Sequence, residues 1–144
     1  MGACDGGEGM TQVFSAWSAL AVGVGAAIGA LLRWRLGVLL NPIHLSLPLG
    51  TLVANLGGAY VIGICTGYFS AHPDLSPEWR LLIVTGFLGG LTTFSTFSAE
   101  AMQLMQKEEW LWAFGHSALH LLGSLFFCFA GFASWRAYTL FLKV

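Results

Sequence analysis

Residues 86–98 read GFLGGLTTFSTFS and interrupt an otherwise apolar, helix-forming segment. This stretch contains three glycines followed by five hydroxyl side chains. Glycine costs about 1 kcal/mol relative to alanine in a helix, and serine and threonine offer the backbone competing hydrogen bonds. We therefore expect a local helix break near the middle of this segment.

The surroundings of such a break determine its use. Backbone groups freed at membrane depth are tolerated only where they are buried in protein or line a wet cavity. Exposed carbonyls suit a cation, whereas exposed amides and hydroxyls suit an anion. The alternative is a face of small residues used for close helix packing, and composition alone leaves both interpretations open.

Four apolar stretches are long enough to cross a bilayer core of about 30 Å. The predicted spans are residues 13–32, 49–69, 81–104 and 110–138. Their short connections carry turn-forming residues, which predicts antiparallel neighbours in a compact bundle. The sequence thus predicts an all-α integral membrane domain over residues 13–144, with a broken third helix. Residues 1–12 are expected to be a disordered tail, and Met10 is an alternative start.

The composition also requires a membrane setting. Of 144 residues, 56% are hydrophobic and 9% are charged, compared with about 25% charged in an average soluble domain. The net charge of -1 offers no basic face for nucleic acid. Cys4, Cys65 and Cys128 are odd in number and widely separated, so neither a disulfide framework nor a zinc cluster is expected.

Lysine and arginine are divided equally between the two sides of the predicted bundle. Arg80, Arg136 and Lys143 lie on the side of the termini, and Arg33, Arg35 and Lys107 lie on the other. Orientation normally follows an excess on one side. An even division predicts insertion in both senses and an antiparallel, dual-topology dimer, although one dominant charge could still set a single orientation.

Small residues recur at the spacing of helix interfaces. These are Gly25 and Gly29, then Gly63 and Gly67, and then Gly115, Gly123 and Gly131. They predict close approach of neighbouring helices.

Two aromatic and two polar side chains stand out at membrane depth. Phe94 and Phe97 are three residues apart on one helical face, and their positive ring edges could contact an anion. Ordinary packing is the commoner use of phenylalanine. Asn55 offers two amide donors in the middle of the second span, and Thr51 lies one turn earlier on the same face.

Together these motifs resemble those of a known family. The stretch GTLVANLGG at residues 50–58, combined with residues 86–98, is similar to the signature pair of the small bacterial fluoride channels, the Fluc or CrcB family. The stretch ALLRW at residues 30–34 resembles that family's first motif. The likeness extends over all four spans.

The resemblance implies a channel that exports fluoride passively across the bacterial inner membrane and so protects the cell from fluoride toxicity. It implies an antiparallel homodimer with fluoride as the conducted ion, and a structural sodium ion held by the backbone carbonyls of Gly89 and Thr92. The implied fluoride pathway comprises Asn55, Thr51, Phe94, Phe97 and Ser124. Such a pathway requires donors without a fixed cation, and the middle of every span lacks lysine and arginine.

The fourth span departs from the family in carrying His116 and His120, one turn apart. His120 is expected to join the pathway beside Ser124, whereas His116 is expected near the membrane boundary. A metal pair would need further ligands, and Cys128 is two turns away from His120. Arg33 and Glu100 are expected to serve structure or topology.

Other function classes fit less well. A proton-coupled drug exporter with four spans needs an ionisable residue at midmembrane in the first span, which is absent from this sequence. A membrane scaffold explains the glycines but not Asn55 or the hydroxyl run. An enzyme is not expected, because no nucleophile, base and orienting group can be assembled from these spacings.

Overall fold

The computed structural model describes residues 15–44 and 46–142. The predicted tail, the alternative start at Met10 and Lys143 lie outside these residues. The helices are α1 (Ala16–Leu40), α2 (Leu49–Ala71), α3 (Pro77–Arg80), a π-helical segment (Leu81–Leu88), α4 (Gly89–Leu91), α5 (Phe94–Gln106) and α6 (Trp110–Phe141). A 3-10 turn, Asn41–Ile43, follows α1.

These elements form four segments long and apolar enough to cross a membrane. They are Ala16–Ile43, Leu49–Ala71, Pro77–Gln106 and Trp110–Phe141. The predicted all-α membrane fold with four spans is confirmed. We call the segments the first to fourth spans.

The first span is longer than predicted. It was expected to end at residue 32, yet α1 continues to Leu40 and includes Arg33 and Arg35. The prediction placed the boundary at these charges, but Arg33 is accommodated because it bonds to the third span. The helix ends where Pro42 enters the 3-10 turn.

Asn41 connects this turn to the second span. Its Oδ1 accepts hydrogen bonds from the backbone N–H groups of Gly50, at 2.8 Å, and Thr51, at 3.3 Å. These are first-turn N–H groups of α2, which have no partner within their own helix. Asn41 therefore caps α2 from outside, since its N-cap residue Pro48 makes no side-chain cap.

Glycines bring the spans into close contact as predicted, with one exception. A Cβ added at Gly63 would overlap the Cys128 carbonyl, and one at Gly131 would overlap the Tyr60 carbonyl, so α2 and α6 meet backbone to backbone. Gly115 was expected at an interface, but no described neighbouring atom lies within 4 Å of a Cβ placed there. That part of the prediction is wrong, because Gly115 faces outward.

The first and third spans are also in close contact. Gly25 lies against the backbone of Leu82 and Gly86, and Gly29 lies against that of Phe87 and Leu91. Gly67 and Gly123 instead accommodate the side chains of Trp135 and Leu56. These glycines therefore let the first span pack closely on the third and the second span pack closely on the fourth.

Candidate functional site

The third span changes conformation at two threonines. Helix α4 ends at Leu91, and α5 begins at Phe94. Between them the backbone is extended, with ψ of 152° at Thr92 and 117° at Thr93. The Thr93 hydroxyl caps α5 by accepting from the Thr96 N–H at 3.1 Å.

Asn55 binds the backbone of this interruption from the second span. Its Oδ1 accepts from the Thr93 N–H at 2.7 Å, and its Nδ2 donates to the Thr93 carbonyl at 3.1 Å. The other Nδ2 hydrogen is directed at His120 Nδ1, 3.0 Å away. Direct donation from Asn55 to an ion, as expected from the sequence, would require one of these bonds to break.

Hydrogen bonds at the interruption also leave the carbonyls of Gly89 and Thr92 without their usual helical donors. These are the two carbonyls predicted to bind sodium. In a continuous helix the Gly89 carbonyl would accept from the Thr93 N–H, and the Thr92 carbonyl from the Thr96 N–H. Here those donors go instead to Asn55 Oδ1 and to the Thr93 hydroxyl. Both carbonyl oxygens therefore lack the donor that a continuous helix would give them, and oxygen atoms are the ligands that hard cations prefer.

Arg33 binds the interruption from the first span. Its Nε donates to the Gly90 carbonyl at 3.0 Å, and its Nη1 lies 3.5 Å from the Thr96 hydroxyl. Arg33 was expected to serve structure or topology, and its hydrogen bond joins the first span to the third. It partners a carbonyl just before the interruption.

A single cavity of about 470 Å³ gathers nearly all the predicted site residues. The lining includes Asn55, Gly89, Thr92, Phe94, Phe97, His120 and Ser124. Cys128 and apolar residues of the second to fourth spans complete it. The residues of the predicted fluoride pathway and of the predicted sodium site thus share one groove, with Thr51 outside it.

The two phenylalanines behave differently within this groove. Their ring centroids are 5.2 Å apart with planes at 61°, an edge-to-face pair. Phe94 is 78% exposed on the single chain, whereas Phe97 packs against His116 and His120 with centroids at 5.4 and 5.0 Å. Phe94 therefore faces outward from the chain. Phe97 packs on both histidines, of which only His120 also lines the groove.

Thr51 leads to a residue that the sequence interpretation did not place in the site. The Thr51 hydroxyl donates to Glu100 Oε1 at 2.5 Å, and Glu100 Oε2 lies 3.6 Å from His116 Nε2. His116 is only 1% exposed, so it is buried between the spans. The spacing of Glu100 three residues after Phe97, on one helical face, was the available signal.

Glu100, His116 and His120 form one buried cluster. Each presents a potential ligand atom, and these atoms lie within 4.8 Å of one another. Several of their polar atoms have no hydrogen-bond partner among the described residues: Glu100 Oε2, both His116 ring nitrogens and His120 Nε2. The third potential metal ligand beside the two histidines is thus Glu100 rather than Cys128.

Residues 20–132 match the model of a family described as CrcB-like protein, Camphor Resistance (CrcB). The chain is 58% identical over 117 residues to a protein of Pseudomonas putida (strain W619). The aligned region covers 81% of this chain and 92% of the relative. That relative is named fluoride-specific ion channel FluC.

Other relatives carry the same name. A protein of Aromatoleum aromaticum is 55% identical over 83% of this chain and 91% of its own length. One of Chromobacterium violaceum is 56% identical over 83% of this chain and 94% of its own length. The matched region includes all of α2 and the interruption in the third span.

Proposed function

This chain belongs to the CrcB family, and on that premise we propose that it is a fluoride-specific ion channel of the bacterial inner membrane. It exports cytoplasmic fluoride passively, down its electrochemical gradient, and lowers the toxicity of the ion. The observation that carries the proposal is the likeness, over nearly the whole length of the relatives, to proteins named as fluoride channels. The chain is a multi-pass membrane protein rather than an enzyme.

The chemistry of the groove supports an anion pathway. Fluoride is small and strongly hydrated, so a narrow path must replace its water with donors that do not trap it. The groove offers the hydroxyl of Ser124, ring edges at Phe94 and Phe97, and the imidazole of His120. The proposed pathway also includes Thr51, whose hydroxyl hydrogen is donated to Glu100. Asn55 borders the same path. Arg33 Nε is bonded to the Gly90 carbonyl, and the Arg33 side chain is not part of the groove lining.

We further propose that two copies pair as an antiparallel homodimer. The groove contains polar groups, yet it is open on the single chain and Phe94 is 78% exposed beside it. Polar groups at membrane depth need a protein partner or water. A second copy of opposite orientation supplies such a cover, and the even division of Lys and Arg permits both orientations.

A structural sodium ion is the last part of the proposal. The carbonyls of Gly89 and Thr92 would hold it, because their helical donors are bound elsewhere. Sodium would supply a fixed positive charge that offsets carbonyls gathered at membrane depth. Near the dimer face, the same ion would connect the two copies.

The decisive experiment compares fluoride and chloride efflux from liposomes that contain the purified full-length protein. We expect rapid fluoride efflux and chloride efflux no faster than from empty liposomes. Equal leakage of both ions, or no fluoride efflux, would contradict the channel. Asn55→Asp should abolish the flux by placing a like charge beside the path, whereas Gln103→Glu, on the exposed face of α5, should preserve it.

The dimer proposal has a separate test. In a variant whose native cysteines are replaced by serine, a single cysteine at Asp74 in the second loop is labelled from outside with a membrane-impermeant reagent. Dual topology predicts labelling of about half of the copies in intact cells. Complete labelling, or no labelling until the cells are opened, would overturn dual topology and with it the antiparallel pairing.

A further inference from the structure

We propose that Asn55 acts as a positioning residue that fixes His120 in the tautomer with its proton on Nε2, so that His120 presents an N–H donor to fluoride. The identity of the ion rests on the proposed function. The tautomer does not, because it follows from hydrogen bonds within this chain.

The first step is the orientation of the Asn55 amide. A backbone N–H can only donate, and a backbone carbonyl can only accept. Since Thr93 presents both groups to Asn55, Oδ1 must face its N–H at 2.7 Å and Nδ2 must face its carbonyl at 3.1 Å. In a flipped amide, Nδ2 would face the Thr93 N–H, which is also a donor, and Oδ1 would face the Thr93 carbonyl, which is also an acceptor.

The second step transfers this orientation to His120. The remaining hydrogen of Asn55 Nδ2 is directed at His120 Nδ1, 3.0 Å away. That ring nitrogen must therefore accept, and a neutral imidazole that accepts at Nδ1 carries its proton on Nε2. Double protonation is disfavoured because an Nδ1–H would face the amide N–H.

The third step is the unused donor that results. Among the described residues His120 Nε2 has no hydrogen-bond partner, and the side chain is only 4% exposed. A buried donor left unpaired is destabilising, because it has lost water without gaining another acceptor. A small anion at Nε2 provides such an acceptor. The rings of Phe97 and His116 pack against the imidazole, and His120 itself lines the groove of the proposed pathway.

The same bonds oppose the cation site that the cluster resembles. Glu100, His116 and His120 are a familiar set of zinc ligands, with potential ligand atoms within 4.8 Å of one another. Coordination through His120 Nε2 would require its proton to move to Nδ1, where the Asn55 N–H opposes it. Asn55 thus favours an anion over a metal ion at His120.

The tautomer can be measured directly. Full-length protein labelled with 15N-histidine is reconstituted in lipid and examined by solid-state NMR, with His120→Gln identifying the His120 signals. We expect a protonated Nε2 and an unprotonated Nδ1. In Asn55→Asp the pattern should reverse, because the carboxylate accepts from Nδ1. The signals of the exposed His44 and His72 should not change.

A wild-type His120 protonated on Nδ1 would overturn the proposal, and so would an unchanged tautomer in folded Asn55→Asp. If that variant does not fold, the wild-type spectrum still decides. Addition of Zn²⁺ should leave the His120 signals unchanged, and a shift confined to Nε2 would count against the tautomer lock.

A second arm tests the donor. With NaF present, 19F should dephase the His120 Nε2 signal through dipolar coupling more strongly than Nδ1. No dephasing at Nε2 would overturn the donor role. Failure of the channel itself would be recognised separately, as loss of selective fluoride efflux by the wild-type protein with the expected tautomer still present.

Discussion

The side-chain amide of Asn55 forms two hydrogen bonds with the backbone of Thr93, one to its N–H at 2.7 Å and one from Nδ2 to its carbonyl at 3.1 Å. Thr93 lies where the third span leaves helical conformation. Its backbone N–H and carbonyl therefore lack the partners that a continuous helix would give them. An amide donates and accepts side by side, which lets one residue satisfy both groups.

Asn55→Ala should therefore destabilise the protein. Removal of the amide leaves two buried backbone groups of Thr93 unpaired, at about 1–3 kcal/mol each. Thermal unfolding in detergent should show a clear decrease in midpoint. Gln103→Ala removes an amide from the exposed face of α5 and serves as the control. Equal midpoints for the two variants would contradict the role given to Asn55.

Arg33→Ala should weaken the third span through the Gly90 carbonyl. Hydrogen bonds that involve a charged donor contribute about 1.5–3 kcal/mol, and partial exposure of Arg33 places the expected loss at the low end. Arg35→Ala is the matched control, because Arg35 lies two residues further along α1 and is exposed. Denaturant unfolding of both variants measures the difference, and a larger loss from Arg35→Ala would refute this assignment.

Gly131→Ala should separate α2 from α6. The added Cβ would meet the Tyr60 carbonyl, a backbone atom that cannot rotate away, and forced contacts of this kind cost about 1–3 kcal/mol. Gly115→Ala on the same helix has open space and should be neutral or stabilising by up to about 1 kcal/mol. Thermal midpoints of the two variants provide the comparison. The packing interpretation fails if their order is reversed.

Thr51→Val should impair fluoride flux while it preserves the shape of the side chain. The substitution removes the 2.5 Å bond to Glu100 and leaves the carboxylate facing only His116. A carboxylate without its donor is poorly stabilised at membrane depth. Thr66→Val removes an exposed hydroxyl bonded to its own helix and should retain wild-type efflux from liposomes. Unchanged flux in Thr51→Val would exclude Thr51 from the pathway.

Sodium should stabilise the folded protein if the carbonyls of Gly89 and Thr92 hold it. A ligand at 100 times its dissociation constant adds about 2.7 kcal/mol to the free energy of unfolding. The thermal midpoint should therefore rise with Na⁺ concentration at constant ionic strength. N-methylglucamine, which is too large for the site, replaces Na⁺ in the control. A midpoint that does not depend on the cation would remove sodium from the proposal.

Some features of the site required tertiary contacts that no local pattern encodes. Glu100 was expected to serve structure or topology, and only the packing of the third span on its neighbours joins it to Thr51 and His116. The first span was expected to end near Arg33, because a charge usually marks a boundary. The bond from Arg33 to the Gly90 carbonyl shows why the helix continues past it.

Two conclusions needed no structure: the protein crosses a membrane four times, and residues 86–98 do not form an ordinary helix. Both conclusions follow from local properties, namely apolar length and the weak helix preference of glycine and hydroxyl residues. The side chains that hydrogen-bond the backbone of the interruption could be identified only from the packed helices. Hydrogen bonds are short and directional, so the pairing of Asn55 with Thr93 and His120 depends on how the second, third and fourth spans pack.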